Sequence, residues 1–152
     1  YIAYTSDIAE SFRPVAAPRL VSAGYAVSWT YVVGDVAHEG YRAFVSAREK
    51  GGDVPLAEDY RTVVVRRGLF QSLASLALPA ATVHGVVRGG AWAVRGAGKG
   101  ALRAYGPVGL GLATVPFLPY IFDKPVEEAV DWSVDRVVRA IERRRGGKEK
   151  EL

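Results

Sequence analysis

The feature that most restricts this chain is a run of twenty residues, Gly68 to Val87, with no Lys, Arg, Asp or Glu. As a helix rising about 1.5 Å per residue it is about 30 Å long, the thickness of a bilayer's hydrocarbon core. Arg66 and Arg67 close one end and Arg88 the other, where long cationic side chains reach headgroups. Pro79 interrupts the backbone ladder mid-run, and Gln71, Ser72, Ser75, Thr82 and His84 need polar partners inside an assembly. The run reads as a kinked transmembrane helix that faces protein on at least one side. The competing reading is a buried helix of a soluble bundle.

Two further windows share this character. Leu20 to Gly34 carries no charge, and counting on to His38 makes it long enough to span, with Asp35 at the interface or turned inward. Pro18 suits a helix start, Tyr25, Trp29 and Tyr31 supply an aromatic belt, and Gly24 and Ser28 let a neighbouring helix come close. Ala104 to Phe122 is neutral over nineteen residues. There Pro107 suits a helix start, Pro116 and Pro119 bend or end the helix, and Gly109 and Ala113 form a small-residue pair.

The charged segments lie between and beyond these windows. Residues 39–67 mix both signs around Gly51, Gly52 and Pro55, which predicts an αα-hairpin with helix to about Lys50 and again from near Pro55. Residues 1–13 form a short amphipathic stretch. Tyr1, Tyr4 or Thr5, Ile8 and Phe12 recur on one side, with Asp7 and Glu10 on the other. It is expected to lie on the body or on the membrane surface. From Pro125 an amphipathic helix is predicted, with Val126, Val130, Val134, Val137, Val138 and Ile141 on one face and Asp131 and Asp135 on a solvated one. In that helix Asp135 can pair with Arg139, and Gly146 and Gly147 stop it. The expected fold class is all-α: a membrane helical bundle of about three hydrophobic helices plus amphipathic N- and C-terminal helices. It forms a single domain over 1–145, with a disordered tail at 146–152. Because the chain opens on Tyr1, no statement about an amino-terminal targeting segment follows.

The chemistry is sparse. There is no Cys, which excludes disulfides and thiolate chemistry, and two His are too few for an all-His metal site. GAGKG at 96–100 fails as a phosphate loop, because Ala93 and Gly100 stand where Gly and Ser or Thr are needed, and Ala101 breaks the dinucleotide fingerprint. No catalytic, cofactor or metal site is expected, and no enzyme. The net charge of +4 suits an anionic membrane surface better than nucleic acid. Arg88, Arg95, Lys99 and Arg103 form the one basic run without an acidic residue, a candidate site for lipid headgroups such as cardiolipin. Asp35, Gln71, Ser75 and His84 are the candidate polar contacts inside the membrane.

Four blocks carry a family resemblance: SDIAESFRP near the start, GYAVSWTYVVGDVAHEG, QSLASLALPAATV, and LGLATVPFLPYIFDKPVEEAVDWSVD near the end. In order and spacing the chain resembles the mitochondrial fission process protein family, small multi-pass proteins of the inner mitochondrial membrane. The pattern matches at Glu10, Phe12 and Arg13; at Tyr25, Ser28, Tyr31 and Asp35; at Gln71, Ala74, Ser75 and Pro79; and at Gly111, Thr114, Pro116 and Asp123. It departs in the 88–106 connector and at His84. The resemblance implies a non-enzymatic inner-membrane protein needed for mitochondrial fission. Its expected partners are membrane lipids and other inner-membrane proteins, as an adaptor or lateral organiser, as a homo-oligomer, or as an accessory subunit of a respiratory or carrier complex.

Overall fold

The computed structural model describes residues 2–51, 54–96 and 100–148, with the side chains of the last helix described through residue 144. Tyr1 and the 149–152 part of the expected tail lie outside the described residues. Helices α1 (Thr5–Ser11), α2 (Pro18–Glu49), α3 (Tyr60–Ser72), α4 (Leu78–Ala93), α5 (Ala101–Thr114) and α6 (Leu118–Lys148) follow one another, and no strand occurs among the described residues. They make three long antiparallel legs. The first is α2. A π turn, Leu73–Ala77, joins α3 to α4 as the second, and a 3-10 turn, Val115–Phe117, joins α5 to α6 as the third.

Each leg follows from its sequence. Ala17 is extended, so Pro18 opens α2 where its missing N–H costs nothing. The helix ends at Gly51, whose φ of +82° is left-handed backbone that favours glycine. The second leg restarts at Tyr60 rather than near Pro55. The turn closes on itself through the Glu58 N–H to the Pro55 carbonyl, 2.9 Å, and the Asp59 carboxylate then caps the Arg61 N–H at 2.8 Å. Pro79 cannot donate to the ladder, and the backbone widens into a π turn just before it.

The third leg departs most from expectation. Pro107 sits inside α5, which begins at Ala101, and Pro125 sits inside α6, which begins at Leu118. Each proline removes a single hydrogen bond, and a 3-10 turn at Pro116 absorbs the tightest point, so the helix bends its ladder without stopping. At the far end α6 continues through Gly146 and Gly147 to Lys148, and neither glycine adopts positive φ.

The legs pack through small residues and valine faces. A Cβ added to Gly40 would collide with Val64, and one added to Gly111 would meet both Val87 and Ser11. The pair expected at Gly109/Ala113 does not form a contact of this kind, since a Cβ at Gly109 would meet open space. Val126, Val130, Val134 and Val138 recur every fourth residue of α6 and bury against Ala74, Phe70 and Leu56. Asp131 and Asp135 are not a free solvated face. Both accept from Arg66 of α3, at 3.1 and 2.5 Å, so Asp135 is tied across the legs rather than to Arg139.

Short α1 fills the groove left between α2, α4 and α5. It runs antiparallel to α2, with the Ser6 N–H donating to the Ser28 hydroxyl at 2.9 Å and Ala9 seated on Gly24. Gly24→Leu is therefore expected to unseat α1, at an overpacking cost of about 1–3 kcal/mol. Faster proteolysis after Arg13 would report it, with the three legs intact by circular dichroism.

Candidate functional site

Among the described residues seven polar or charged side chains are buried, and many large apolar ones point out. In α1 the residues Ser6, Asp7, Glu10 and Ser11 are buried, whereas Ile8 is 44% and Phe12 38% exposed. The expected amphipathicity is present, but the acids are on the inside. Leu20, Val33, Leu102, Phe117 and Ile121 are likewise more than half exposed. Two helical stretches, Tyr60–Ala93 and Ala101–Arg144, are long and apolar enough to cross a bilayer, and only 39% and 22% of their apolar windows is buried within the chain. Helix α2 is not one of the two.

The first internal network centres on Glu10, whose side chain is 1% exposed. It accepts from Arg13 Nε and Nη2 at 2.6 and 2.7 Å, from the Tyr25 hydroxyl at 3.1 Å and from His84 Nδ1 at 2.7 Å. An ionised carboxylate only accepts, so His84 carries its proton on Nδ1. Burial pushes the Glu10 carboxyl up. The hydrogen bonds from Arg13, His84 and Tyr25 outweigh burial and hold it below its usual range. One turn earlier, Asp7 is fully buried and neither of its oxygens has a hydrogen-bond partner. There burial, and secondarily the Glu10 charge, push the carboxyl up to about 7.

The second network runs along the α2–α3 seam. Asp35 accepts from Arg67 Nε and Nη2 at 2.6 and 3.2 Å and from Gln71 Nε2 at 2.9 Å, and Gln71 Oε1 accepts from the Ser75 hydroxyl at 2.6 Å. Three of the four expected intramembrane polar residues, Asp35, Gln71 and Ser75, thus form one continuous ladder. The fourth, His84, belongs to the Glu10 network instead. Arg67→Ala is expected to lower stability by about 1–3 kcal/mol, the cost of leaving a largely buried acceptor unsatisfied. Arg67→Lys should recover part of that, since it keeps the charge and loses the two-pronged geometry. Unfolding in mixed micelles would measure both.

The third feature is the turn between α4 and α5. Arg88, Arg95 and Arg103 are exposed, and among the described residues no acid pairs with any of them. Lys99, with the middle of the GAGKG segment, lies outside the described residues. Trp92 and Tyr105, 67% and 63% exposed, flank this turn. At the opposite end of the legs three cations sit in ion pairs: Arg42 with Glu39, Lys50 with Glu58, and Arg66 with the two aspartates.

A family model described as Mitochondrial 18 kDa protein (MTP18) matches residues 1–130, which takes in all three features. The chain belongs to that family. Its relatives include mitochondrial fission process protein 1 of Homo sapiens, 28% identical over 148 residues, which span 93% of this chain and 82% of the relative. The protein of the same name from Danio rerio is 27% identical over 143 residues, 93% of this chain and 82% of the relative. That of Caenorhabditis elegans is 27% identical over 143 residues, 90% of this chain and 82% of the relative. No solved structure matches the chain. The MTP18 family is thus one whose named members are mitochondrial fission process proteins, and this member of it is all-helical with two stretches able to cross a membrane.

The hub at Glu10 is absent from the residues expected of the site on sequence grounds. Its partners lie 3, 15 and 74 residues away, and only Arg13, at i+3, is visible as a pair in the sequence.

Proposed function

We propose that this chain is a non-enzymatic, multi-pass protein of the inner mitochondrial membrane that promotes fission as an adaptor or lateral organiser. The observation that carries the membrane part is the reversed polarity of α1, with acids inward and Ile8 and Phe12 outward. Such a helix suits surroundings as apolar as its outer face. The fission part is supported by the names of the relatives. The inner-membrane part is supported by the sequence resemblance. The organiser part is supported by the two ends of the bundle. One presents uncompensated Arg88, Arg95 and Arg103 beside Trp92 and Tyr105, suited to anionic headgroups such as those of cardiolipin. The other mixes acids with its cations, and Arg42, Lys50 and Arg66 are paired there.

Carbonate extraction with protease protection, in intact and outer-membrane-ruptured mitochondria, tests the placement. Both ends released to the soluble fraction would overturn it. Depleting the protein should lengthen the mitochondrial network, and the wild-type chain should restore fission. A variant with Arg88, Arg95 and Arg103 changed to Gln should insert normally yet restore fission poorly and lose its preference for anionic vesicles.

A second reading, an accessory subunit of a respiratory or carrier assembly, is favoured by the apolar groove between α3 and α6, lined by Leu56, Val65, Leu69, Val134, Val137 and Ile141. Co-migration with one complex at fixed stoichiometry in native gels would select it.

A further inference from the structure

Neither network uses Asp7. Its carboxyl is enclosed, 0% exposed, and the polar groups around it are committed elsewhere. The Ser6 N–H goes to Ser28, the Ser6 hydroxyl to the Ala3 carbonyl at 3.4 Å, and the Ser11 hydroxyl to the backbone carbonyl of Asp7 at 2.8 Å. The ionisable groups on and around α1 leave it no counter-charge. Arg13 of its own segment and His84 of α4 are both spent on Glu10, and Tyr25 of α2 donates to Glu10 as well. Tyr4 hydrogen-bonds Asp123 of α6. Helix α5 brings Gly111 against Ser11 and no charge. No cluster of three metal-ligating side chains occurs among the described residues. An ionised carboxylate in such a place is unsolvated and unpaired, whereas a neutral carboxyl is tolerated.

We propose that Asp7 is a proton-binding site built into the seat of α1, occupied while α1 is docked between α2, α4 and α5 and emptied when α1 withdraws. The step is a single proton taken onto a carboxylate oxygen from water and returned to it. The docked value of about 7 lies above the ordinary carboxylate value of 3.8, so the docked state is the one that holds the proton. The stabilisation is complete below about pH 4 and is lost as pH rises through about 7. Because the chain's own helices enclose the site, this inference stands or falls separately from the membrane placement.

The test uses the full chain in lipid nanodiscs and infrared difference spectra between about pH 5 and about pH 9, a range that brackets the shifted carboxyl. The wild type should show one protonated-carboxyl band that disappears with a midpoint near 7 and is missing in Asp7→Asn. In Glu10→Gln the band should persist with its midpoint moved to lower pH, because a neighbouring negative charge has gone. Hydrogen exchange of the α1 amides, corrected for intrinsic rates, should speed up with pH in the wild type and not in Asp7→Asn. A wild type without the band, or a band unchanged in Asp7→Asn, would overturn the proposal. So would displacement of the band by sodium at fixed pH, which would mark a cation site. If Asp7→Asn failed to fold, a midpoint unmoved in Glu10→Gln would assign the band to another carboxyl and overturn the proposal equally.

Discussion

Leu78→Asp and Phe117→Asp are each expected to reduce the membrane-inserted fraction of the chain about a hundredfold. Both side chains face outward, 36% and 62% exposed, and both lie within the neutral windows of the two legs able to cross a membrane. An aspartate near the centre of a membrane helix costs about 2.5–3.5 kcal/mol on insertion scales. The same change on a water-facing surface falls within about 0.5 kcal/mol of neutral. The contrast is sharpened by Tyr41→Asp. Tyr41 is 68% exposed, more than either, but it lies in the charged half of α2 beyond Asp35, and the substitution should be nearly silent. The carbonate-resistant fraction of each variant after import reads the effect directly. Equal, small effects at all three positions would place the whole surface in water and remove the basis for the proposed role.

That a leg structure exists was legible in the sequence because it depends on length and on the absence of charge. The neutral windows beginning at Leu20, Gly68 and Ala104 each lie on a separate leg, and the hairpin near Gly51 falls where Gly and mixed charge put it. The prolines were harder. Pro107 and Pro125 each look like a boundary when water competes for the freed carbonyl, yet both are inside helices here. The orientation of α1 was not legible at all. Periodicity shows that Ile8 and Phe12 share a side opposite Asp7 and Glu10, but it carries no sign, and the sign is set by what surrounds the helix. Nor could pairing across legs be read. Arg66 reaches Asp131 over 65 residues and His84 reaches Glu10 over 74, and nothing local at either end distinguishes these partners from solvated neighbours.

The larger energetic effect is expected at that last contact. Arg13 and His84 are 52% and 50% exposed, so each alone is a partly screened partner of Glu10, and Arg13→Ala or His84→Ala should cost only about 1–2 kcal/mol. Removing both leaves the 1%-exposed Glu10 carboxylate with a tyrosine hydroxyl and no positive charge. A buried charge stripped of its cationic partner and donors costs about 3–5 kcal/mol, so the double variant should exceed the sum of the singles by about 1 kcal/mol. The excess has a specific cure. Adding Glu10→Gln to the double variant removes the stranded charge and should return stability, even though it deletes a third member of the network. A hub that merely filled space would show additive singles and a further loss in the triple variant. Recovery in the triple variant instead means that α1 is held by charge neutralisation at Glu10. The carboxyl one turn away at Asp7, left without any such partner, is then the part of the seat able to respond to protons.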